Sequence, residues 1–259
     1  HEAGRTLAAV LARGEALGKP RLQLGALDNL AVLAGHLGRW DEVARWAEQA
    51  HALAQAIGSR RDIGQSQLRL GEAAEARGDA AAARHWHEQS LVMLRAVAGR
   101  LEEARALRYL ARLHLAQGDA TKSLECCSQA LTLHQMLEDK LEACYADAIA
   151  ALCEARLGRT AEALARVNAT LGRLQQELAT CLAIDTLAAR WTCHQVLDAL
   201  GPEHAPRAAK LLEELHADVQ ARATAVTDAD DRDRLIQAIP DFRDIVAAYR
   251  RRGAPTAGG

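Results

Sequence analysis

Glycine recurs at a fixed interval of 40 residues, at Gly38, Gly78, Gly118 and Gly158. The residues around it keep the same interval. Leu30, Leu70 and Leu110 lie eight positions upstream, and Ala31, Gly71, Ala111 and Ala151 lie seven upstream. Val43, Ala83, Ser123 and Ala163 follow five positions downstream, and Ala50, Ser90, Ala130 and Thr170 twelve downstream. A period of this length means supersecondary units stacked on one another, each too small to bury its own apolar face.

Apolar residues inside each unit recur at helical spacing. Between 65 and 77, Leu68, Leu70, Ala73 and Ala74 form one stripe. Glycine then supplies the left-handed conformation that closes a first helix. Asp79 and Asp119 follow directly and can cap the amides of a second helix; Asp41 and Thr160 are the candidate caps where Arg39 and Arg159 replace the aspartate. The small residues at 31, 71, 111 and 151, and at 83, 123 and 163, let the paired helices approach closely. Aromatic residues make up only 3% of the chain, a balance that suits helix-on-helix packing and argues against a β-sandwich or barrel. The expected class is therefore all-α: a right-handed solenoid of antiparallel helix pairs.

The period places a half unit at 1–18, where Ala3, Leu7, Val10 and Leu11 match Val43, Ala47, Ala50 and His51, and four 40-residue units up to 178. A second helix without its first reads as a piece of a longer array. Beyond 178 the register is lost. Helical patterns at 182–200 and 206–224, broken by Gly201-Pro202, read as an irregular fifth pair spanning 179–226. Residues 227–252 read as C-terminal capping helices interrupted at Pro240, with Phe242, Ile245, Val246 and Tyr249 on the apolar face of the last one. The tail at 253–259 is expected to be disordered.

A formal net charge of −2 provides no global field for nucleic acid or anionic membranes. No apolar run is long enough for a membrane span. The cysteines, Cys126, Cys127, Cys144, Cys153, Cys181 and Cys193, show no C-x-x-C spacing and read as reduced, half-buried helix residues of a cytoplasmic protein. No phosphate loop, nucleophile elbow or metal-binding histidine pair is present, so no catalytic residue, cofactor or metal is expected. His85-Trp86-His87 places its two histidines on different sides of a helix, which reads as surface and packing, and Cys127 reads as core.

The units resemble the tetratricopeptide repeat. The resemblance rests on Leu70-Gly71, Gly78, Ala83 and the Leu91 that follows Ser90. It rests equally on Ala26 to Leu30 with Gly38-Arg39-Trp40-Asp41, and on Gly118-Asp119 with Ala130-Leu131. The aromatic slot of the first helix holds Ala34, Ala74, His114 and Glu154, the linking proline is absent, and the period exceeds the usual length of about 34 residues. Long units of this kind are similar to those of maltose-regulon-activator-type regulators and of bacterial STAND-type signalling ATPases. Residues 233–243 are similar to the segment closing repeat regions in bacterial ATPases and nucleotide cyclases.

The resemblance implies a non-catalytic module that binds a protein, peptide or effector along a concave groove lined by the first helices. It would be the sensor or regulatory part of a larger bacterial signalling or transcription-regulating protein. The rival readings are a stand-alone peptide-signal receptor and a structural oligomerisation module. The motif's inward positions fall at Asp28, Val32 and His36; at Gln65, Leu68, Glu72 and Ala76; at Arg105, Arg108 and Arg112; and at Tyr145, Ala148, Leu152 and Arg156. Arg105, Arg108 and Arg112 share one helix face, a pattern suited to an acidic peptide or a carboxylate, with Tyr109 and Tyr145 as contact area. The competing reading is a solvated face paired with Glu72, Glu75, Glu102 or Glu103. Trp40 stands where other units carry Ala80, Ala120 and Thr160, and is expected to fill space within its own hairpin. Other domains of a parent chain are the remaining expected partners; nucleic acid and membrane are not.

Overall fold

The computed structural model describes residues 2–177, 184–226 and 229–253. All regular structure among them is helical: α1 (Glu2–Ala16), α2 (Pro20–His36), α3 (Trp40–Ala56), α4 (Arg60–Ala76), α5 (Ala80–Ala96), α6 (Arg100–Ala116), α7 (Ala120–Leu137), α8 (Lys140–Arg156), α9 (Thr160–Glu177), α10 (Ile184–Ala199), α11 (Ala205–Thr224), α12 (Ala229–Ala238) and α13 (Pro240–Gly253). From α2 to α9 a helix starts every 20 residues, half the interval of the four glycines.

Every turn between those helices closes in the same way. The N–H after the left-handed residue reaches back to a carbonyl five positions earlier, as from Arg39 to Ala34 at 2.9 Å and from Asp79 to Ala74 at 2.9 Å. Gly18, Gly38, Gly58, Gly78, Gly118 and Gly158 have φ between 59° and 83°. In the two turns without glycine, Ala98 (φ 51°) and Glu138 (φ 54°) are forced into the same region. Asp79 and Asp119 cap as expected: Oδ1 accepts the N–H of Ala82 at 2.9 Å and of Lys122 at 3.0 Å. Asp139 does the same for Glu142 at 3.2 Å. Asp41 does not cap α3; it lies inside the first turn and pairs with Arg77 instead. The helix around 65–77 is longer than its apolar stripe, because Ser59 and the preceding left-handed Gly58 let it begin at Arg60.

The chain forms two compact units, His1–Leu110 and Ala111–Gly259, whose boundary falls within α6. In the first, α1 packs on α2, α2 on α3, α3 on α4 and α4 on α5, and α2 also meets α4. Ala31, Ala34, Val43, Ala44 and Ala73 form one buried cluster, with Trp40 and Trp46 packed against it. Trp40 thus fills its own hairpin, 3.6 Å from where a Gly35 side chain would begin. In the second unit, α8 packs against α7, α9 and α10, and α10 against α11. The irregular stretch starts outside the described residues, at 178–183. Its hairpin turns at Gly201 (φ 122°), and a 3-10 turn at Pro202–His204 leads into α11. Pro240 opens α13 rather than merely interrupting a helix, since proline is tolerated in a first turn. Phe242 and Ile245 of α13 are buried, and Tyr249 stacks on His216 of α11 with centroids 3.9 Å apart. Gly253 ends α13, and the rest of the expected tail lies outside the described residues, as do Thr227 and Asp228.

Candidate partner-binding surface

In the first compact unit the first helices of successive repeats, α2, α4 and α6, carry a bonded polar strip. Arg69 on α4 is its centre. Its Nε donates to Asp28 Oδ1 on α2 at 3.0 Å, and its Nη1 donates to Glu72 Oε1 at 2.9 Å and Oε2 at 3.2 Å. Tyr109 on α6 donates its hydroxyl to Glu72 Oε1 at 2.8 Å. Burial opposes the charge on Arg69, and the Glu72 and Asp28 carboxylates more than reverse that, so its pKa stands above the ordinary arginine value. The strip is held in place by bonds within the protein.

Beneath Tyr109 lies His87 of α5, fully buried, its ring stacked on the tyrosine at 4.7 Å and an interplanar angle of 4°. Gly71 leaves room for that imidazole: a Cβ there would fall 2.3 Å from Cε1. Arg108 lays its guanidinium 4.8 Å from the Tyr109 ring centre. Trp86, the neighbour of His87 in sequence, is half-buried and meets His51 and His85 edge to face; His85 is exposed.

The positions transferred from the repeat motif separate by burial. Leu68 is 1% exposed, Arg108 3% and Tyr145 3%, so these three serve mainly as packing. Asp28, Glu72, Arg105, Tyr109 and Arg112 are half-buried, and His36 and Arg156 are exposed. Of the acids considered as partners for the arginine stripe, Glu72 is held by Arg69 and Tyr109, Glu102 pairs with Arg61 at 3.1 Å and Glu103 with Arg95 at 2.9 Å. His36 lines an open cavity of about 940 Å3 between α1 and α2, together with Asn29, Val32 and Leu33.

In the second compact unit, the Arg112 guanidinium sits 6.0 Å from the Tyr145 ring centre. Asp147 and the buried Glu154 of α8 receive Arg166 of α9 at 2.7 and 3.1 Å, and Arg173 approaches Asp147 at 3.5 Å. Burial works against the Arg166 charge, but Glu154 and Asp147 outweigh it and raise its pKa. These pairs tie a second helix to a first helix. Motif transfer missed Arg69 and the His87–Tyr109 stack. The i, i+3 spacing of Arg69 and Glu72 was the available signal for the former.

Five described cysteines, Cys126, Cys127, Cys144, Cys153 and Cys193, are free thiols; Cys181 lies outside the described residues. Among the described residues no cluster of histidine, cysteine and carboxylate side chains is arranged to hold a metal, and no helix is long and apolar enough to cross a membrane.

No protein-family model matches the chain, and no curated protein matches its sequence. Solved structures do. The TPR-like repeats attributed to a kinesin light chain of Podosopora anserina superpose with a TM-score of 0.54 at 18% identity, over 80% of this chain and 98% of that one. A single-residue variant of the same protein gives a TM-score of 0.55 at 18% identity, over 79% and 97%. With the helical period and the shared turn geometry, this likeness identifies the fold as an all-α array of tetratricopeptide-like repeats.

Proposed function

We propose that the chain is a non-catalytic protein-interaction module that receives a protein or peptide along the first helices of its repeats. The observation that carries this reading is the strip formed by Asp28, Arg69, Glu72 and Tyr109. It is polar, half-exposed and prearranged on successive first helices, which is what an extended partner needs in order to be read at several points. Arg105 and Arg112 favour carboxylates in that partner. The resemblance to the long repeats of maltose-regulon-activator-type regulators and STAND-type ATPases supports a finer reading: a sensor part of a larger bacterial signalling or transcription-regulating protein, acting in the cytoplasm, in which partner binding biases the parent between two states.

The test is a peptide library selected against the protein, followed by calorimetry with the best binder. Substituting Tyr109→Phe and the pair Arg105→Ala and Arg112→Ala should weaken that binder at least tenfold while helicity is retained. An affinity that is unchanged in both variants would overturn the reading.

A further inference from the structure

A separate cavity of about 300 Å3 opens between α3 and α5 over the C-terminal half of α4, in the first compact unit. Its origin is a local departure from the repeat. Ala44, Ala73 and Ala74 line it. One repeat later, the same positions hold Arg84, Leu113 and His114. Conversely, Trp86 and His51 on its wall stand where the next repeat has Cys126 and Leu91. Relative to that next repeat, smaller side chains line the floor; the indole is shared with the preceding repeat, where Trp46 stands at the position of Trp86. Interiors close such gaps unless something else fills them, and this volume is at the low end of ligand pockets, about 300–1,000 Å3. It suits one side chain, not a helix.

The polar chemistry of the wall is one-sided. Ser66 Oγ gives its single proton to the Ile63 carbonyl at 2.8 Å, so it must accept from His51 Nδ1–H, 3.0 Å away. Burial lowers the pKa of His51 and keeps the ring neutral, which leaves its lone pair on Nε2. Glu48 on the same wall forms no ion pair among the described residues. Of the cations near it, Arg77, which itself lines the cavity, pairs with Asp41 at 2.5 Å, and Arg45 lies over the Trp46 ring at 4.4 Å. The groups lining the cavity thus include a carboxylate, an imidazole and an indole, a set that suits a cationic, flat donor.

We propose that this cavity binds the guanidinium of an arginine side chain from a peptide or protein partner, held by the Glu48 carboxylate and stacked against Trp86. A guanidinium satisfies both demands at once: it forks onto a carboxylate and stacks on an indole, which an ammonium does less well. The site is distinct from the polar strip on the first helices and favours the opposite charge, so it stands or falls independently of that strip.

The test is a titration of 15N-labelled protein followed at the Trp86 indole N–H and His51 resonances. The ligands are acetyl-Gly-Arg-Gly-amide, the same peptide with citrulline or lysine in place of arginine, and free arginine. The expected result is saturable shifts confined to the cavity for the arginine peptide, at least fivefold weaker binding of each of the other three, at least fivefold loss in Glu48→Gln, and no saturation in Ala74→Leu, which fills the space. Glu48 is exposed, so its amide variant keeps the fold. Equal binding of the citrulline peptide, or an unchanged titration in Glu48→Gln, would overturn the proposal. Equal binding of the lysine peptide would refute the guanidinium assignment, and equal binding of free arginine the assignment to a partner chain.

Discussion

Substituting alanine at two helical glycines of the first compact unit should move stability in opposite directions. At Gly25 a Cβ would meet nothing within 4 Å, and the position is exposed. Gly25→Ala should therefore stabilise by about 0.5–1 kcal/mol through helix propensity alone. At Gly71 the same methyl would lie 2.3, 2.5 and 2.7 Å from three atoms of the His87 ring. The ring has little freedom to retreat, because it is fully buried and stacked on Tyr109, whose hydroxyl is tied to Glu72, itself held by Arg69. Overpacking of this kind costs about 1–3 kcal/mol, and a contact this short on a trapped ring belongs in the upper part of that range. After the propensity gain is subtracted, Gly71→Ala should destabilise by about 1–2 kcal/mol. Urea unfolding read by tryptophan fluorescence suits the test, since Trp40, Trp46 and Trp86 all lie in the affected unit. With a slope of about 2 kcal/mol/M the midpoint should fall by about 0.5–1 M. The next repeat pairs Ala111 with Cys127 at the equivalent positions. Transplanting that pair, as Gly71→Ala with His87→Cys, should therefore recover most of the loss. Stabilisation by Gly71→Ala equal to that of Gly25→Ala, or no recovery in the double variant, would refute the steric argument.

Two further outcomes follow from the turns and the thiols. Ala98→Gly and Glu138→Gly should each stabilise by about 0.5–1 kcal/mol. The substitution removes a left-handed penalty of about 1–2 kcal/mol and returns about 0.4–1 kcal/mol of unfolded-chain entropy. A thermal midpoint raised by a few degrees would show it, and a lowered one would contradict it. Burial pushes the Cys193 thiol up to about 12, whereas Cys126 is only half-buried. A maleimide applied to the native protein at pH 8, with labelled peptides mapped, should mark Cys126 well before Cys193; comparable rates would contradict the assigned burial.

Much of the helical frame was legible because turn chemistry is local. A left-handed residue is needed after each helix, and glycine marks it in most turns. The 20-residue spacing was harder to see, because Ala98 and Glu138 occupy the second series of turns where glycine would have completed it. The expected cap at Asp41 failed for a reason of register: the turn puts Arg39 at the N-cap and leaves Asp41 inside the first turn of α3. The placement of side chains on the first helices was only partly legible. Motif transfer assigns a face to Leu68, Arg108 and Tyr145, but their depth depends on the bulk of residues on other helices, which no local pattern encodes. Arg69 escaped notice for the same reason, since its importance comes from Asp28 and Tyr109, some 40 residues away on either side.

The repeats keep one backbone rhythm while redistributing side-chain volume, and that redistribution is where specificity can arise. At Gly71 and His87 a lost methyl on one helix is matched by an added ring on the next, so the interior stays full and the ring supports Tyr109 under the polar strip. At Ala73, where the next repeat has Leu113, the smaller side chain leaves a cavity lined by Trp86 and by the Glu48 carboxylate. Compensated exchanges preserve packing density. An uncompensated exchange forfeits contact energy that a stable fold could have kept. The positions that break the 40-residue pattern without repair are therefore the ones to mutate first in seeking what this protein binds.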